Sequence, residues 1–233
     1  MRKIVSFSLY GNDPIYTIGC IKNAEIKNKI MEDWEMWVYH DESVNQEILS
    51  TLKSHNVFLI KSHLGNHLGR MWRFLPASSD VDFFISRDTD SRLSLRDVES
   101  TDEWIKSGKN FHIVREHPVG HHWWINAGMW GCKGGSVKDI EKLINEYYVN
   151  TTKKGDKFVD QYFLEDIIYP IAKKDVLIHD EFCNMEQVGI PIKRDRILDD
   201  FAFIGESVDE NDIPRGDQRT PIKNLYTMKK SGH

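Results

Sequence analysis

Between residues 4 and 90 the chain alternates short apolar runs with amphipathic stretches, and this rhythm limits the fold more than any other feature. Residues 4–9 read as a buried strand that ends in the turn-rich Tyr10-Gly11-Asn12-Asp13-Pro14. Residues 15–30 carry Ile15, Ile18, Ile21, Ala24, Ile26 and Ile30 at helical spacing. A second strand follows at 36–39, a short helix around 44–52, and a third strand at 57–60. Strands separated by helices pair in parallel and need cover on both faces. The expectation is an α/β fold, a three-layer α/β/α sandwich around a mainly parallel central sheet. Open sheets of this kind bind ligands beyond the carboxyl ends of their strands. Residues 10–13, 40–42 and 87–91 should therefore meet at one pocket.

The segment Phe83-Phe84-Ile85-Ser86-Arg87-Asp88-Thr89-Asp90-Ser91 gives that pocket its chemistry. A strand-like apolar run ends in two carboxylates at i and i+2, which share one face of an extended chain. Close together they need a counter-charge to stay ionised, and a divalent cation is the natural one. Oxygen ligands favour Mg²⁺ or Mn²⁺ over zinc. An ion held by few carboxylates completes its shell with water and substrate phosphates. The functional reading is a metal–diphosphate site at a strand end. The plain alternative is a solvated polar exit from a strand.

Further along, residues 65–77 are expected to form a helix carrying Arg70 and Arg73, and Leu95–Ser107 another. Residues 111–114 and 123–132 read as extended, with a loop at 117–122 between them. Helices are expected at 136–148, capped by Ser136, and at 158–168, stopped near Pro170. A short strand at 176–178 ends at His179, and from residue 206 the chain reads as a polar wrapping tail.

Composition narrows the function. With 40% hydrophobic residues, 233 residues can bury one substantial core. A net charge of −5 gives no basic footprint for nucleic acid or an anionic membrane. No apolar run approaches the roughly 18 residues of a membrane span. The apolar start is too short for a signal peptide and is interrupted by Asn12-Asp13-Pro14. Cys20, Cys132 and Cys183 are odd in number and widely spaced, which fits a reducing cytoplasm.

Taken in order, residues 4–11, the Arg70/Arg73 segment, Asp88-Thr89-Asp90, Asp160-Gln161 and His179 resemble a small GT-A-fold glycosyltransferase. The resemblance runs roughly through Asp180. It implies a GT-A-like domain with a Rossmann-like nucleotide-binding half, a nucleoside-diphosphate sugar donor (UDP-sugar first), and Mn²⁺ or Mg²⁺. The division implied within 1–233 is a donor half at 1–92, an acceptor half at 93–205 and a tail at 206–233. Asp90 would be the principal metal ligand, with Asp88 on the metal or the donor ribose and His179 completing the shell. Arg70 or Arg73 would face the donor sugar or its diphosphate. Ser8, Tyr10, Asn12 and Asp41 would hold the nucleoside, and Asp160 would lie near the reacting sugar. After His179 comes Asp180-Glu181-Phe182, unlike the Gly- and Lys-containing run of the retaining enzymes.

Asp160 heads an amphipathic stretch and is the candidate general base for an inverting transfer to a glycan or other hydroxyl acceptor. The plain alternative is an acid favoured by the first helical turn. Trp123, Trp124, Asn126 and Gln161 are candidates for an acceptor or sugar pocket, since aromatic faces stack on sugar rings. His117, His121 and His122 fit no zinc spacing and are expected in a loop on the acceptor side. Three other classes share features of the pattern. A haloacid-dehalogenase-type phosphatase would use Asp88 as nucleophile beside Asp90. A metal-dependent nucleotidyltransferase would want a Gly-rich triphosphate loop, and Gly11 stands alone. A non-catalytic sugar-binding module would not need the carboxylate pair.

Overall fold

The computed structural model describes residues 1–230; residues 231–233 of the expected tail lie outside the described residues. Seven strands form one sheet in the order β3-β2-β1-β4-β6-β5-β7. They are β1 (Lys3–Leu9), β2 (Trp34–His40), β3 (Phe58–Lys61), β4 (Phe83–Ser86), β5 (Phe111–Arg115), β6 (Trp130–Lys133) and β7 (Val176–Asp180). All neighbours pair in parallel except β6, which is antiparallel to β4 and β5. The expected α/β architecture with a mainly parallel sheet is the one observed. β1 is buried along its whole length, as a central parallel strand must be.

Helices cover both faces. On one lie α1 (Pro14–Ile30), α2 (Gln46–Ser54) and α3 (Leu95–Ser107), over a core that includes Val5, Phe7, Cys20, Met36, Ile85 and Trp104. On the other lie a 3₁₀ segment (Asn66–Ser78), α4 (Ile140–Asn150) and α5 (Val159–Phe163), over Trp72, Phe74, Phe84, Trp130 and Phe163. Local chemistry sets the starts of these helices. Asp13 caps α1 by accepting from Ile15 N at 3.0 Å, with Pro14 in the first turn. Ser94 and Asp97 close a capping box on α3, and Gly108 at φ 72° ends it.

Several local expectations change. Residues 65–77 are helical but wound as a 3₁₀ helix. Leu68, Met71, Phe74 and Ala77 recur every third residue and are all buried, so a three-residue turn buries them on one line. The same period aligns Arg70 with Arg73. The stretch 123–132 pairs only from Trp130, and 123–129 is irregular. α4 starts at Ile140 rather than at Ser136, whose N–H closes a turn onto Lys133 O. The helix expected to stop near Pro170 passes through a π-turn (Leu164–Ile168) into α6 (Tyr169–Ala172). There Tyr169 N reaches back to Leu164 O, and the shifted bonding tolerates a residue without N–H. The polar tail from residue 206 includes a helix, α7 (Thr220–Lys230), which ends the described chain with Ile222 fully buried. Cys20, Cys132 and Cys183 are all free. Among the described residues no helix is long and apolar enough to cross a membrane.

Candidate active site

Chain order reverses across β1 and β4: β2 and β3 lie to one side of β1, β4 to the other. Loops leaving the carboxyl ends of two such strands diverge and open a crevice. A cleft of about 440 Å³ lies there, within the range of small-ligand sites. β1 and its loop supply Ser8, Tyr10, Gly11, Asn12 and Asp13, and α1 supplies Tyr16. The 3₁₀ helix supplies Arg70 and Arg73, the β4 exit Asp88, Thr89 and Asp90, and α5 Asp160. Residues far apart in sequence thus meet in one concavity.

Arg73 is the electrostatic centre. Its Nη1 donates to Asp88 Oδ1 and its Nη2 to Asp160 Oδ2, the latter at 3.1 Å. Burial opposes the guanidinium's charge, but Asp88 and Asp160 outweigh it and hold its pKa above the ordinary arginine value. Burial lifts the Asp160 carboxyl above the usual aspartate range; Arg73 pulls it down and Asp88 pushes it up. Asp90 is raised as well, first by burial and then by the charge of Asp88. Arg73 thus pairs directly with two of the three carboxylates, while Asp90 has, among the described residues, a cation only at 3.8 Å, from Arg215. Arg70 is exposed on the rim, where Nη1 donates to Lys157 O.

The β1 and β2 loops are tied together. Gly11 N donates to Ser43 Oγ at 2.6 Å, and Ser43 Oγ in turn donates to Asp41 Oδ1. Asn12 Oδ1 accepts from Asn45 N at 2.9 Å. Ser8 Oγ accepts from Arg73 N at 3.0 Å. Asp41 is buried behind this lattice and braces the loop rather than lining the cleft.

The structure does not bring every candidate together. His179 lies under α3, with Nδ1 2.8 Å from His112 Nε2 and Nε2 3.3 Å from Glu103 Oε2. Its ring is fully buried there and is absent from the cleft. Strand alternation explains the placement, because β7 presents His179 to the α3 face, as it does Leu177. The metal shell expected around Asp90 loses that member. Among the described residues no group of three or more His, Cys, Asp or Glu side chains is arranged to hold a metal. Two carboxylates remain, which fits Mg²⁺ or Mn²⁺ completed by water and phosphate oxygens and does not fit an all-protein cage.

Trp123 packs on Phe158 and Tyr162, and Trp124 on Tyr169; neither lines the cleft. Gln161 Oε1 accepts from Ala127 N at 3.0 Å, tying α5 to the 123–129 loop. Asn126 is buried, with Nδ2 unpartnered. His117 and His121 are also buried: His117 Nε2 donates to Gln218 O at 2.8 Å, and His121 Nδ1 accepts from Glu116 N at 2.9 Å. They fold the loop instead of facing a ligand.

Three contributors escaped the sequence. Gly128 lies against Asp88: a Cβ there would sit 1.8 Å from Oδ2. Gly19 of α1 lies under the same turn, where a Cβ would meet Thr89 O at 2.1 Å. Arg87, buried, binds Asp97 at 2.7 Å and Ser86 O at 2.8 Å, pinning the turn that carries the carboxylates to the start of α3. A glycine two residues before a strand and an arginine beside Asp88 were visible, but nothing local marked their partners.

No protein-family model matches the chain, and no curated protein matches it. Solved structures similar in fold include a glycosyltransferase involved in the glycosylation of the major capsid of PBCV-1 (13% identity, TM-score 0.45, covering 86% of this chain and 97% of that one). Another is glucosyl-3-phosphoglycerate synthase from Mycobacterium tuberculosis in complex with Mn²⁺, UDP-glucose and glycerol 3-phosphate (12%, 0.43, 85% and 74%). A third is a cytidylyltransferase from Leptospira borgpetersenii (12%, 0.43, 99% and 94%). Such low identities leave the function to the side chains of the cleft.

Proposed function

We propose that the protein transfers a sugar from a nucleoside-diphosphate sugar to a glycan or other hydroxyl acceptor, with Mn²⁺ or Mg²⁺ held at Asp88 and Asp90. The observation that carries this reading is the meeting of Asp88, Asp90, Arg70, Arg73 and Asp160 in one cleft at the strand-order reversal. A divalent ion there would act as a Lewis acid toward the leaving diphosphate. The chain supplies the rest. Ser8, Tyr10 and Asn12 face the nucleoside, on a loop braced by Asp41. Arg70, exposed on the rim, faces the diphosphate. UDP as the nucleotide follows from the family resemblance alone.

The transfer breaks the bond from the anomeric carbon to the diphosphate oxygen, which leaves with the electron pair. The acceptor oxygen bonds to that carbon from the opposite side, and its proton passes to Asp160. Burial raises the basicity of this carboxylate, and Arg73 orients it through the bond to Oδ2. The product's anomeric configuration is inverted. The test is turnover of a nucleotide-sugar panel with Mn²⁺ by wild type and Asp90→Asn. Loss of metal-dependent nucleotide release in a folded variant is expected; undiminished turnover by Asp90→Asn ends the metal assignment.

A further inference from the structure

The segment after Glu206 folds back over the carboxylate pair. Val208 N donates to Asp90 O at 2.8 Å, and Ser207 Oγ to Asp90 Oδ2 at 3.3 Å. The segment is fastened on itself. Arg219 grips Glu206 through bonds of 2.5 and 2.8 Å, and Gln218 Nε2 donates to Ser207 O at 2.8 Å. Arg215 sits between these fastenings, its N–H bonded to Ser207 O at 2.9 Å.

The Arg215 side chain reaches toward Asp90, which lines the cleft. Nη1 is 3.8 Å from Asp90 Oδ2, its one ion pair among the described residues and too long for a hydrogen bond. Its charge also reaches the Tyr16 phenol, which lines the cleft. The side chain is 49% exposed. Nearby arginines are committed elsewhere: Arg73 to Asp88 and Asp160, Arg92 to Asp212, Arg219 to Glu206 and Asp200. Arg215 thus brings a guanidinium with uncommitted N–H groups beside Asp90.

We infer that Arg215 is a binding group for the donor's diphosphate, delivered by the C-terminal segment; this rests on the transferase function proposed above. A diphosphate carries more negative charge than the single carboxylate oxygen that now attracts Arg215 at long range. A planar guanidinium meets phosphate oxygens two at a time. With its backbone already fastened, Arg215 needs only a side-chain rotation, so little ordering cost attends binding.

Calorimetric titrations with Mn²⁺ alone, and with inorganic pyrophosphate in the presence of Mn²⁺, test this on wild type, Arg215→Gln and Asp90→Asn. Arg215→Gln should weaken pyrophosphate binding about tenfold, the loss of one charge-assisted hydrogen bond at a half-exposed site. It should leave Mn²⁺ alone bound as well or better, because a positive charge beside Asp90 has gone. A residue that only held the segment shut would weaken both ligands, and that outcome overturns the inference. So does unchanged pyrophosphate binding in Arg215→Gln; if Asp90→Asn abolishes binding at the same time, the transferase function stands without Arg215. Wild type that binds no pyrophosphate with Mn²⁺ overturns the transferase function itself, and the inference falls with it.

Discussion

Replacing Arg73 with Gln should destabilise the fold in a way that depends on pH. Two carboxylates lose their cation. The Asp88 side chain is 34% exposed and turns to water at little cost, whereas Asp160 is only 8% exposed and cannot. Removing one partner of a buried pair costs about 3–5 kcal/mol. The lower end, about 3 kcal/mol, applies here, because Asp160 can escape by taking up a proton. For a chain of this size that is a fall in Tm of roughly 6–12 °C near pH 7.5. The sign follows from linkage. In the native protein the Asp160 pKa is already above its ordinary value, so the folded state binds that proton more tightly than the unfolded chain. Stability from this group is therefore greatest in acid and is lost as pH rises through the raised pKa. Without Arg73 the pKa rises further, so the deficit of the variant should shrink toward pH 4.5 and grow toward neutrality. Thermal unfolding followed by circular dichroism at both pH values measures it. A second arm adds Asp160→Asn: once the stranded charge is gone, the double variant should recover part of the loss. An equal fall in Tm at both pH values, with no recovery in the double variant, would refute the electrostatic account.

Gly128→Ala should cost only about 1–3 kcal/mol, the scale of modest overpacking, yet push the Asp88 carboxylate aside. Metal-dependent transfer should then drop about 100-fold, the usual penalty for misplacing a reacting group by roughly an ångström; a fully active variant would show that Asp88 has room to spare. Asp160→Asn should lower transfer about 10²–10⁴-fold with donor affinity nearly unchanged. The wild-type rate should rise with pH along a limb above the ordinary aspartate range, since burial raises that carboxyl. A product that retains the donor's anomeric configuration would remove Asp160 as an inverting base. His179→Gln should lower Tm, because the His112–His179–Glu103 chain is broken, while Mn²⁺ affinity stays unchanged. A marked loss of Mn²⁺ binding would return His179 to the metal site.

Periodicity in the sequence determined the layers and where the strands end. Apolar runs with a period of two or none mark strands, helical spacing marks their cover, and both are local properties that a chain displays before it folds. Asp88 and Asp90 were visible for the same reason, as carboxylates at the end of an apolar run. Only the tertiary structure decided their company. Arg73 meets Asp160 across 87 positions of sequence, and Ser207 meets Asp90 across 117. His179 looked identical in the sequence to a strand-end ligand, and the direction of its side chain sent it under α3. The tail read as a polar wrapping segment, but its partners could not be read, because its hold on the site runs through hydrogen bonds and ion pairs rather than an apolar stripe. Gly128 shows the same limit: a missing Cβ means something only beside the carboxylate it makes room for. Burial patterns repeat along the chain and can be read from it, whereas a polar site depends on which particular groups come within about 3 Å of one another, and that is settled when the loops pack.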